Sequence, residues 1–155
     1  MKPTIQALLL ADCVYQDVSG KKIVAGIFHR LLFSKTLHQP KVIEDGGSKR
    51  VLIPGGVNAG SPYAYFCLTD VRGTIPCTIR YVDLKDERVL LHTNFTVKSD
   101  DPLAAVEGIL PMPPLPTPHT GVYALELLCE DEPVGSLRIV VDEINEKQES
   151  ADEPS

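Results

Sequence analysis

The sequence predicts an all-β protein, a sandwich of about seven antiparallel strands in a single domain. Short runs in which apolar and polar residues alternate recur along the chain, which is typical of half-buried strands. The 13 prolines and 11 glycines lie mostly between these runs, where an all-β chain needs many turns. At 155 residues the chain is long enough to bury a real core.

Residues 121–141 give the clearest pattern, two alternating strands around one acidic turn. The apolar faces of the two strands are formed by Tyr123, Leu125, Leu127 and Cys129, and by Leu137, Ile139 and Val141. A three-residue turn at 131–133 pairs Leu127 with Leu137 and brings both apolar sets to one face. In the same register, Leu125 pairs with Ile139. We therefore expect this hairpin to form one wall of the core.

The first strand is expected at residues 5–15, where a nearly continuous apolar run indicates burial on both sides. The most apolar part covers residues 7–11 before Asp12 closes it, which is too short for a signal peptide or a membrane span. We therefore expect the protein to be cytoplasmic. In that compartment the four cysteines have no oxidising environment in which to pair.

A second strand is expected at residues 22–33. Gly26 in its middle indicates a bulge or the close approach of another backbone. Residues 34–61 hold one short apolar run, at 51–53, between glycine-rich stretches, and they predict a long loop. Long connections of this kind are often functional or mobile.

Alternating residues then predict a second hairpin around Arg72 and Gly73, with a turn of two or four residues. Its inward pairs are Leu68 with Cys77, Phe66 with Ile79, and Ala64 with Tyr81. Pro76 cannot donate a hydrogen bond to a ladder, so we expect a free strand edge at that point.

A further strand is expected at residues 89–97. The residues that it turns inward are Val89, Leu91, Thr93, Phe95 and Val97. Pro102 can begin a short helix that runs to Glu107, with Asp100 or Asp101 as its cap. The proline-rich residues 111–118 predict an extended connection that leads into the 121–141 hairpin.

The sandwich domain is assigned to residues 1–142. Residues 143–155 form an acidic tail, which we expect to be disordered because it has little apolar surface to bury against the entropy of ordering. The formal net charge of −6 disfavours binding to nucleic acid or to an anionic membrane. We therefore expect neither of them to be a partner.

About seven strands at short spacing, with a Gly-x-Tyr entry to the sixth, are typical of an immunoglobulin-like sandwich. Tyr123 would then be a corner tyrosine, whose hydroxyl bonds back onto the preceding connection. The Cys-Trp-Cys signature of antibody domains is absent, because the sequence has no tryptophan.

More specific motifs occur at four places, namely LADCVY at 10–15, GK at 20–21, IVAGIF at 23–28 and GVY at 121–123. Through these motifs, over residues 3–142, the chain resembles a family of short bacterial β-sandwich proteins of unknown function. It departs from them in its long glycine-rich loop at 44–60. The resemblance implies the fold, and it brings no activity, substrate, cofactor or catalytic residue.

No motif indicates catalysis or a cofactor. The histidines are scattered, at His29, His38, His92 and His119, and no Cys or His has a partner within four residues, as zinc sites usually require. There is no Gly-x-Ser-x-Gly, and residues 46–50 and 54–56 lack the spacing of a phosphate loop. Cys67 and Cys77 would lie on neighbouring strands but face opposite ways, so we expect four free thiols.

Five aspartates at predicted strand ends could converge as oxygen ligands for calcium, namely Asp70, Asp83, Asp86, Asp100 and Asp101. Ordinary turn formation explains each of them equally well. Asp12 lies in an apolar strand and needs a partner, because an unpaired buried carboxylate is costly. We expect it to accept hydrogen bonds from turn amides near Gly20.

The leading functional hypothesis is a non-catalytic interaction or accessory module with an unknown protein partner. It rests on a structural explanation for every motif, and its surface would combine the 34–61 loop with the 99–118 connection. The alternative is an enzyme or a calcium-dependent binder whose site is assembled in space from loop Asp, His and Cys residues.

Overall fold

A computed structural model describes residues 2–33, 41–45, 48–52 and 62–143. These residues form eleven β-strands and no helix. The strands are β1 (Thr4–Gln16), β2 (Lys22–Ile27), β3 (Arg30–Phe33), β4 (Lys41–Asp45), β5 (Ser48–Leu52), β6 (Tyr63–Thr69), β7 (Gly73–Asp83), β8 (Arg88–Ser99), β9 (Val106–Pro111), β10 (Gly121–Cys129) and β11 (Glu132–Glu143).

Nine of these strands form two packed sheets, which confirms the predicted all-β sandwich. The smaller sheet has the strand order β2-β1-β6-β9, and the larger has the order β3-β11-β10-β7-β8. Neighbouring strands are antiparallel except for β3, which runs parallel to β11. Strands β4 and β5 pair with each other as a separate two-stranded sheet.

The core lies between the two sheets and draws side chains from both. Phe66 of β6 and Phe95 of β8 meet across it, with ring centroids 5.3 Å apart. Leu10, Ile79 and Leu125 have no exposed surface. Each fully buried side chain of this size stabilises the fold by about 1.5–3 kcal/mol relative to an exposed one.

The first strand is confirmed, and it joins two neighbours, β2 and β6. The expected burial on both sides is wrong, because Asp12, Cys13 and Tyr15 are exposed. The expected second strand at 22–33 is wrong as one element, because it divides into β2 and β3, which belong to different sheets. Gly26 near the end of β2 has a φ of +73°, a conformation that side chains rarely adopt. The β1–β2 register is regular on both sides of it, so no bulge is present.

The predicted hairpin of residues 64–68 with 75–81 is also wrong. Strand β6 pairs with β1 and β9, whereas β7 pairs with β10 and β8, so the chain crosses between the sheets at residues 70–72. Phe66 and Ile79 nevertheless both point into the core. Two strands that face each other across a sandwich have the same inward alternation as a hairpin, and the pattern cannot distinguish them.

The final hairpin is confirmed with a different register. Leu137 lies opposite Leu125, where the sequence predicts Leu127. Ile139 lies opposite Tyr123, where the sequence predicts Leu125. The turn has two residues, Glu130 and Asp131, both with positive φ, instead of the expected three at 131–133. Since the register moves by two residues, the predicted inward faces are kept.

Strand β8 confirms the strand expected at 89–97, with one reversed residue. Tyr81 pairs with Leu91 and Val82 with Val89, so Leu90 is an extra residue on β8. This irregularity turns Val89 outward, and it is 44% exposed. Pro76 lies in an interior strand, beyond the last β7–β10 pair at Cys77 and Cys129. The carbonyl of Pro76 accepts a hydrogen bond from the amide of Glu130, which follows the end of β10. The N–H that proline lacks is therefore not needed for a β7–β10 pair.

The short helix expected at 102–107 is wrong. Asp101 instead accepts a hydrogen bond from the amide of Leu103 in a turn, and residues 106–111 then form β9. The extended connection is confirmed as a segment without helix or strand between β9 and β10. Strand β11 includes Glu143, so the predicted tail begins at least one residue later, and residues 144–155 lie outside the described residues.

The long loop predicted at 34–61 contains β4 and β5, while residues 34–40, 46–47 and 53–61 lie outside the described residues. No stretch of the chain that the structure describes forms a helix long and apolar enough to span a membrane.

Candidate functional site

The outer face of the larger sheet carries a group of apolar side chains at one end, in two adjacent rows. We call it the outer apolar patch, and it consists of Val82, Leu84, Val89, Val122, Ala124 and Val140. In the first row, Val82 lies between Val89 and Ala124 on neighbouring strands. In the second row, Val122 lies opposite Val140, and Leu84 donates its amide to the carbonyl of Val122.

Four members of the patch are well exposed. Leu84 is 38% exposed, Val89 44%, Val122 41% and Val140 39%, whereas Val82 and Ala124 are buried between their neighbours. Single exposed apolar residues are common on protein surfaces, but a contiguous group marks an interaction site more often. The arrangement follows from strand pairing, because residues that lie opposite each other share a face.

Charged side chains flank the patch on the same face. Arg138 lies opposite Ala124, and Arg30 lies opposite Val140. Arg30 makes an ion pair with Asp142. In the next row, Arg80 pairs with Glu126 at 2.9 Å between Nε and Oε1. No ion pair joins Arg138 to any other described residue, so this side of the patch has an excess of positive charge.

A second group of polar residues lies at the same end of the sandwich, in the loop before β10. His119 Nε2 is 2.5 Å from Oδ2 of Asp83, a carboxylate that is only 2% exposed. His119 Nδ1 is 2.6 Å from the carbonyl oxygen of Thr120. Both partners are acceptors, and this arrangement favours the imidazolium form of the ring, in which both nitrogens donate.

The pKa values agree with this charge state. The hydrogen bond to the Thr120 carbonyl, followed by that to Asp83, raises the pKa of His119 above its ordinary range. Burial alone would raise the pKa of Asp83, but hydrogen bonds from the Lys85 amide and the His119 ring outweigh it and lower the pKa. Both shifts favour the ionic form of the pair.

Tyr123 forms the predicted corner. Its hydroxyl donates to the carbonyl of His119 at 2.7 Å and accepts from the His119 amide at 3.3 Å. The ring stacks on Tyr81, with centroids 5.2 Å apart, and both tyrosines are completely buried. The Tyr81 hydroxyl has no hydrogen-bond partner among the described residues.

The loop aspartates proposed for calcium lie at opposite ends of the sandwich. Asp83 is the last residue of β7 and Asp86 lies in the turn after it, whereas Asp70, Asp100 and Asp101 lie near the start of β7. Several make local turn contacts, such as Asp86 with the Arg88 amide. Within residues 2–33, 41–45, 48–52 and 62–143, no three His, Cys, Asp or Glu side chains come together as metal ligands.

The four cysteines are free, as expected, although for a different reason in the case of Cys67 and Cys77. These two belong to different sheets and are not neighbours. Cys77 lies instead directly opposite Cys129, with 3.5 Å between the two sulfur atoms.

The other three histidines are far apart in the sequence. His29 lies between β2 and β3, His92 on the outer face of β8, and His38 outside the described residues.

The expectation that Asp12 accepts hydrogen bonds from turn amides near Gly20 is wrong. The acceptor in that turn is Asp17, whose Oδ1 accepts hydrogen bonds from the amides of Ser19 and Lys21. The exposed Asp12 carboxylate lies over Gly26, where a β-carbon would be 2.3 Å from Oδ2. The expected close approach at Gly26 is therefore made by a side chain.

The glycine-rich stretches that were compared with a phosphate loop are only partly described. Residues 48–50 belong to β5, and residues 46–47 and 54–56 lie outside the described residues.

Three features escaped the sequence reasoning, namely the outer apolar patch, the Asp83–His119 pair and the Cys77–Cys129 pair. Each joins residues of strands or loops that are distant in sequence, by 36 positions for Asp83–His119 and 52 for Cys77–Cys129. One local signal was available for the patch, because Val140 interrupts otherwise polar outward positions of its strand. The chain matches no model of a known protein family, and no curated protein is significantly similar to it.

Proposed function

We propose that the protein is a non-catalytic interaction module that binds a protein partner at the outer apolar patch. The partner would present apolar side chains flanked by carboxylates. The exposed rows of Leu84, Val89, Val122 and Val140 are the observation that carries this proposal. This surface is not the one that the sequence suggests, which combines the 34–61 loop with the 99–118 connection. Most of that loop lies outside the described residues.

The patch suits a flat partner surface. All of its residues except Leu84, which lies in the turn after β7, come from four neighbouring strands of one sheet. Their positions are fixed by the strand ladder and need little ordering on binding. A central apolar area surrounded by polar groups is the usual anatomy of a protein interface. Arginine is enriched in such interfaces, and Arg30, Arg80 and Arg138 all lie on this face.

Charge supports an acidic partner. The whole chain has a net charge of −6, but around the patch the carboxylates of Glu126 and Asp142 are already engaged by Arg80 and Arg30. Arg138 adds a positive charge that is not neutralised by any described residue. A partner with carboxylates around its apolar residues would be attracted to this face, and mismatched partners would be disfavoured.

The geometry of the Asp83–His119 pair favours a structural role over an enzymatic one. A general base needs a free ring nitrogen, and both nitrogens of His119 are occupied by acceptors. No Ser, Thr or Cys side chain of the described residues is within hydrogen-bond distance of the ring. The pair instead holds the loop before β10 against the end of β7.

We further propose that the sandwich is of the immunoglobulin-like type and acts in the cytoplasm. The corner tyrosine at the start of β10 and the neighbouring order β11-β10-β7 support the first point. Four free thiols support the second.

A comparison of capture by matched variants tests the proposed surface. Val122→Glu and Arg138→Glu place negative charge in or beside the patch, and Leu103→Glu places the same charge on an 88% exposed leucine elsewhere. Each protein, immobilised at equal density, is exposed to a lysate of the source organism. We expect a partner that is retained by wild type and Leu103→Glu and is lost with Val122→Glu and Arg138→Glu.

The salt dependence and the melting temperature complete the design. Retention should fall as the salt concentration rises, because the attraction between Arg138 and an acidic partner is screened. Thermal melting of each variant excludes loss of binding through unfolding. Equal capture by all four proteins, or loss with Leu103→Glu alone, would refute the patch. If the retained protein is a second copy of this chain, sedimentation velocity will show dimers that Val122→Glu abolishes.

A further inference from the structure

Cys77 on β7 and Cys129 on β10 form a pair of buried thiols in the core. They lie directly opposite each other in the antiparallel ladder, and their sulfur atoms are 3.5 Å apart. Their exposed fractions are 3% and 1%. Of the other two cysteines, Cys13 is exposed and Cys67 is half-buried, and both belong to the smaller sheet.

We propose that Cys77 and Cys129 are a reversible modification site, which hydrogen peroxide oxidises to a disulfide inside the folded protein. The two sulfurs have to approach by about 1.5 Å to reach the bonding distance of about 2.0 Å. Residues directly opposite in an antiparallel pair have β-carbons about 4.5–5.5 Å apart, close to the separation that a disulfide needs. Rotation of the side chains with a small strand movement is therefore sufficient.

The geometry places each thiol within reach of the other. The thiol of Cys77 is 3.6 Å from the Ile75 carbonyl, and its sulfur is 3.5 Å from that of Cys129. The hydrogen bond between the two thiols can be donated by either sulfur. Either thiol can therefore react first as its thiolate, and the other is then the resolving thiol.

The oxidation balances with peroxide as the only added reagent. The thiolate of one of the two cysteines attacks one peroxide oxygen, the O–O bond breaks, and a sulfenic acid forms while hydroxide leaves and takes up a proton to become water. The sulfur of the other cysteine then attacks the sulfur of the sulfenic acid, the S–O bond breaks, and a second water leaves with the proton of the second thiol. Two thiols are oxidised to one disulfide, and one peroxide is reduced to two waters.

A surface cavity lies next to the pair. It has a volume of about 470 Å³, and its lining residues include Cys77 and Glu130, the residue that follows Cys129. Hydrogen peroxide is close to water in size, whereas a bulky disulfide would have to place its substituent in the packed core. We therefore assign peroxide as the oxidant class.

Peptide mapping of the wild-type protein tests the proposal, because each cysteine falls on its own tryptic peptide. Cys13 lies on 1–21, Cys67 on 51–72, Cys77 on 73–80 and Cys129 on 99–138. The native protein is treated with hydrogen peroxide, unfolded in the presence of an alkylating reagent, and digested. We expect a species that joins 73–80 to 99–138, lighter than the two peptides by two hydrogen atoms and abolished by a reductant.

Three controls separate this link from unspecific oxidation. Oxidation of protein already unfolded in urea should give several pairings, with the 77–129 link at least tenfold less abundant relative to the others. The Cys13→Ser/Cys67→Ser double variant should still form the link, and Cys129→Ser should not. Oxidation of Met112, which shares the 99–138 peptide, adds oxygen and survives a thiol reductant.

The proposal fails if Cys77 and Cys129 remain fully alkylated in native protein under conditions that oxidise Cys13. It also fails if the link is no more abundant in native than in unfolded protein, or if links between the Cys13 residues of two molecules dominate. Far-ultraviolet circular dichroism before digestion confirms that the treated protein is still folded.

Discussion

The hydroxyl of Tyr123 holds the backbone of His119 at both of its polar groups. It donates to the carbonyl oxygen at 2.7 Å and accepts from the amide at 3.3 Å. This contact closes a short loop at residues 119–123. It fixes the end of the proline-rich connection against the start of β10. The same His119 presents its ring to Asp83, so one residue joins the corner to the end of β7.

Removal of the Tyr123 hydroxyl should destabilise the protein, whereas removal of the Tyr81 hydroxyl should not. Tyr123→Phe leaves two backbone groups of His119 without their partner and should cost about 1–3 kcal/mol of unfolding free energy. Tyr81→Phe is the matched control, because this stacked and equally buried hydroxyl has no partner among the described residues. Urea melts of both variants measure the difference, and equal effects would contradict the corner.

Truncation of the whole Tyr123 ring should be more severe. Tyr123→Ala removes a completely buried aromatic side chain that stacks on Tyr81, and we expect a loss of about 3–5 kcal/mol. The same urea melts give this value. A loss no larger than that of Tyr123→Phe would mean that the ring contributes little to the core.

The Asp83–His119 pair should make the free energy of unfolding depend on pH. The variant His119→Gln should lack this dependence. The pKa of His119 is raised above 6.5, so its contribution is complete below that pH and is lost as pH rises through the folded-state pKa. The pKa of Asp83 is lowered below 3.8, so its contribution is present above 3.8 and is lost as pH falls through its folded-state value. Both contributions are complete between pH 3.8 and 6.5.

The measurement compares wild type with His119→Gln in urea melts at pH 5 and pH 9. The difference in unfolding free energy between the two proteins should be larger at pH 5. A difference that is constant, or larger at pH 9, would show that the ring is neutral in the folded protein.

Gly108 on β9 should not tolerate alanine. It lies directly opposite Phe66, and a β-carbon at Gly108 would be 2.1 Å from the Cζ of that ring. Gly108→Ala should therefore cost about 1–3 kcal/mol through overpacking. In a Phe66→Leu background the ring is absent and the same substitution should cost less, which a double-mutant cycle measures. Additive effects would show that the ring does not cover Gly108.

The inward and outward positions could be predicted from the sequence, because alternation with period two is a local property of each strand. Phe66, Ile79 and Leu125 were assigned inward, and all three are buried. The neighbours of each strand were harder to predict. A hairpin and a crossing between sheets have the same pattern, as residues 64–81 show. The strand at 106–111 was missed because Gly108 and Pro111 disfavour a strand on propensity alone.

The candidate site could be predicted even less. Cys77 and Cys129 meet because β7 and β10 are neighbours, a pairing between strands that are not consecutive in sequence. Val89 belongs to the patch only because a register shift beside Val82 reverses its direction. Tyr123 is the exception, since a tyrosine two residues after a glycine at a strand entry is a local signal, and its corner role is confirmed.

Site-specific photo-crosslinking tests the central claim, the proposed interface at the outer apolar patch, most directly. A photoreactive amino acid is placed at Val140 in one protein and at the exposed Leu103 in another, and both are irradiated in a lysate of the source organism. We predict a crosslinked partner at Val140 that is absent at Leu103 and disappears when Arg138→Glu is added. Crosslinking at Leu103 with none at Val140, or crosslinking at Val140 that persists with Arg138→Glu, would contradict the proposed interface.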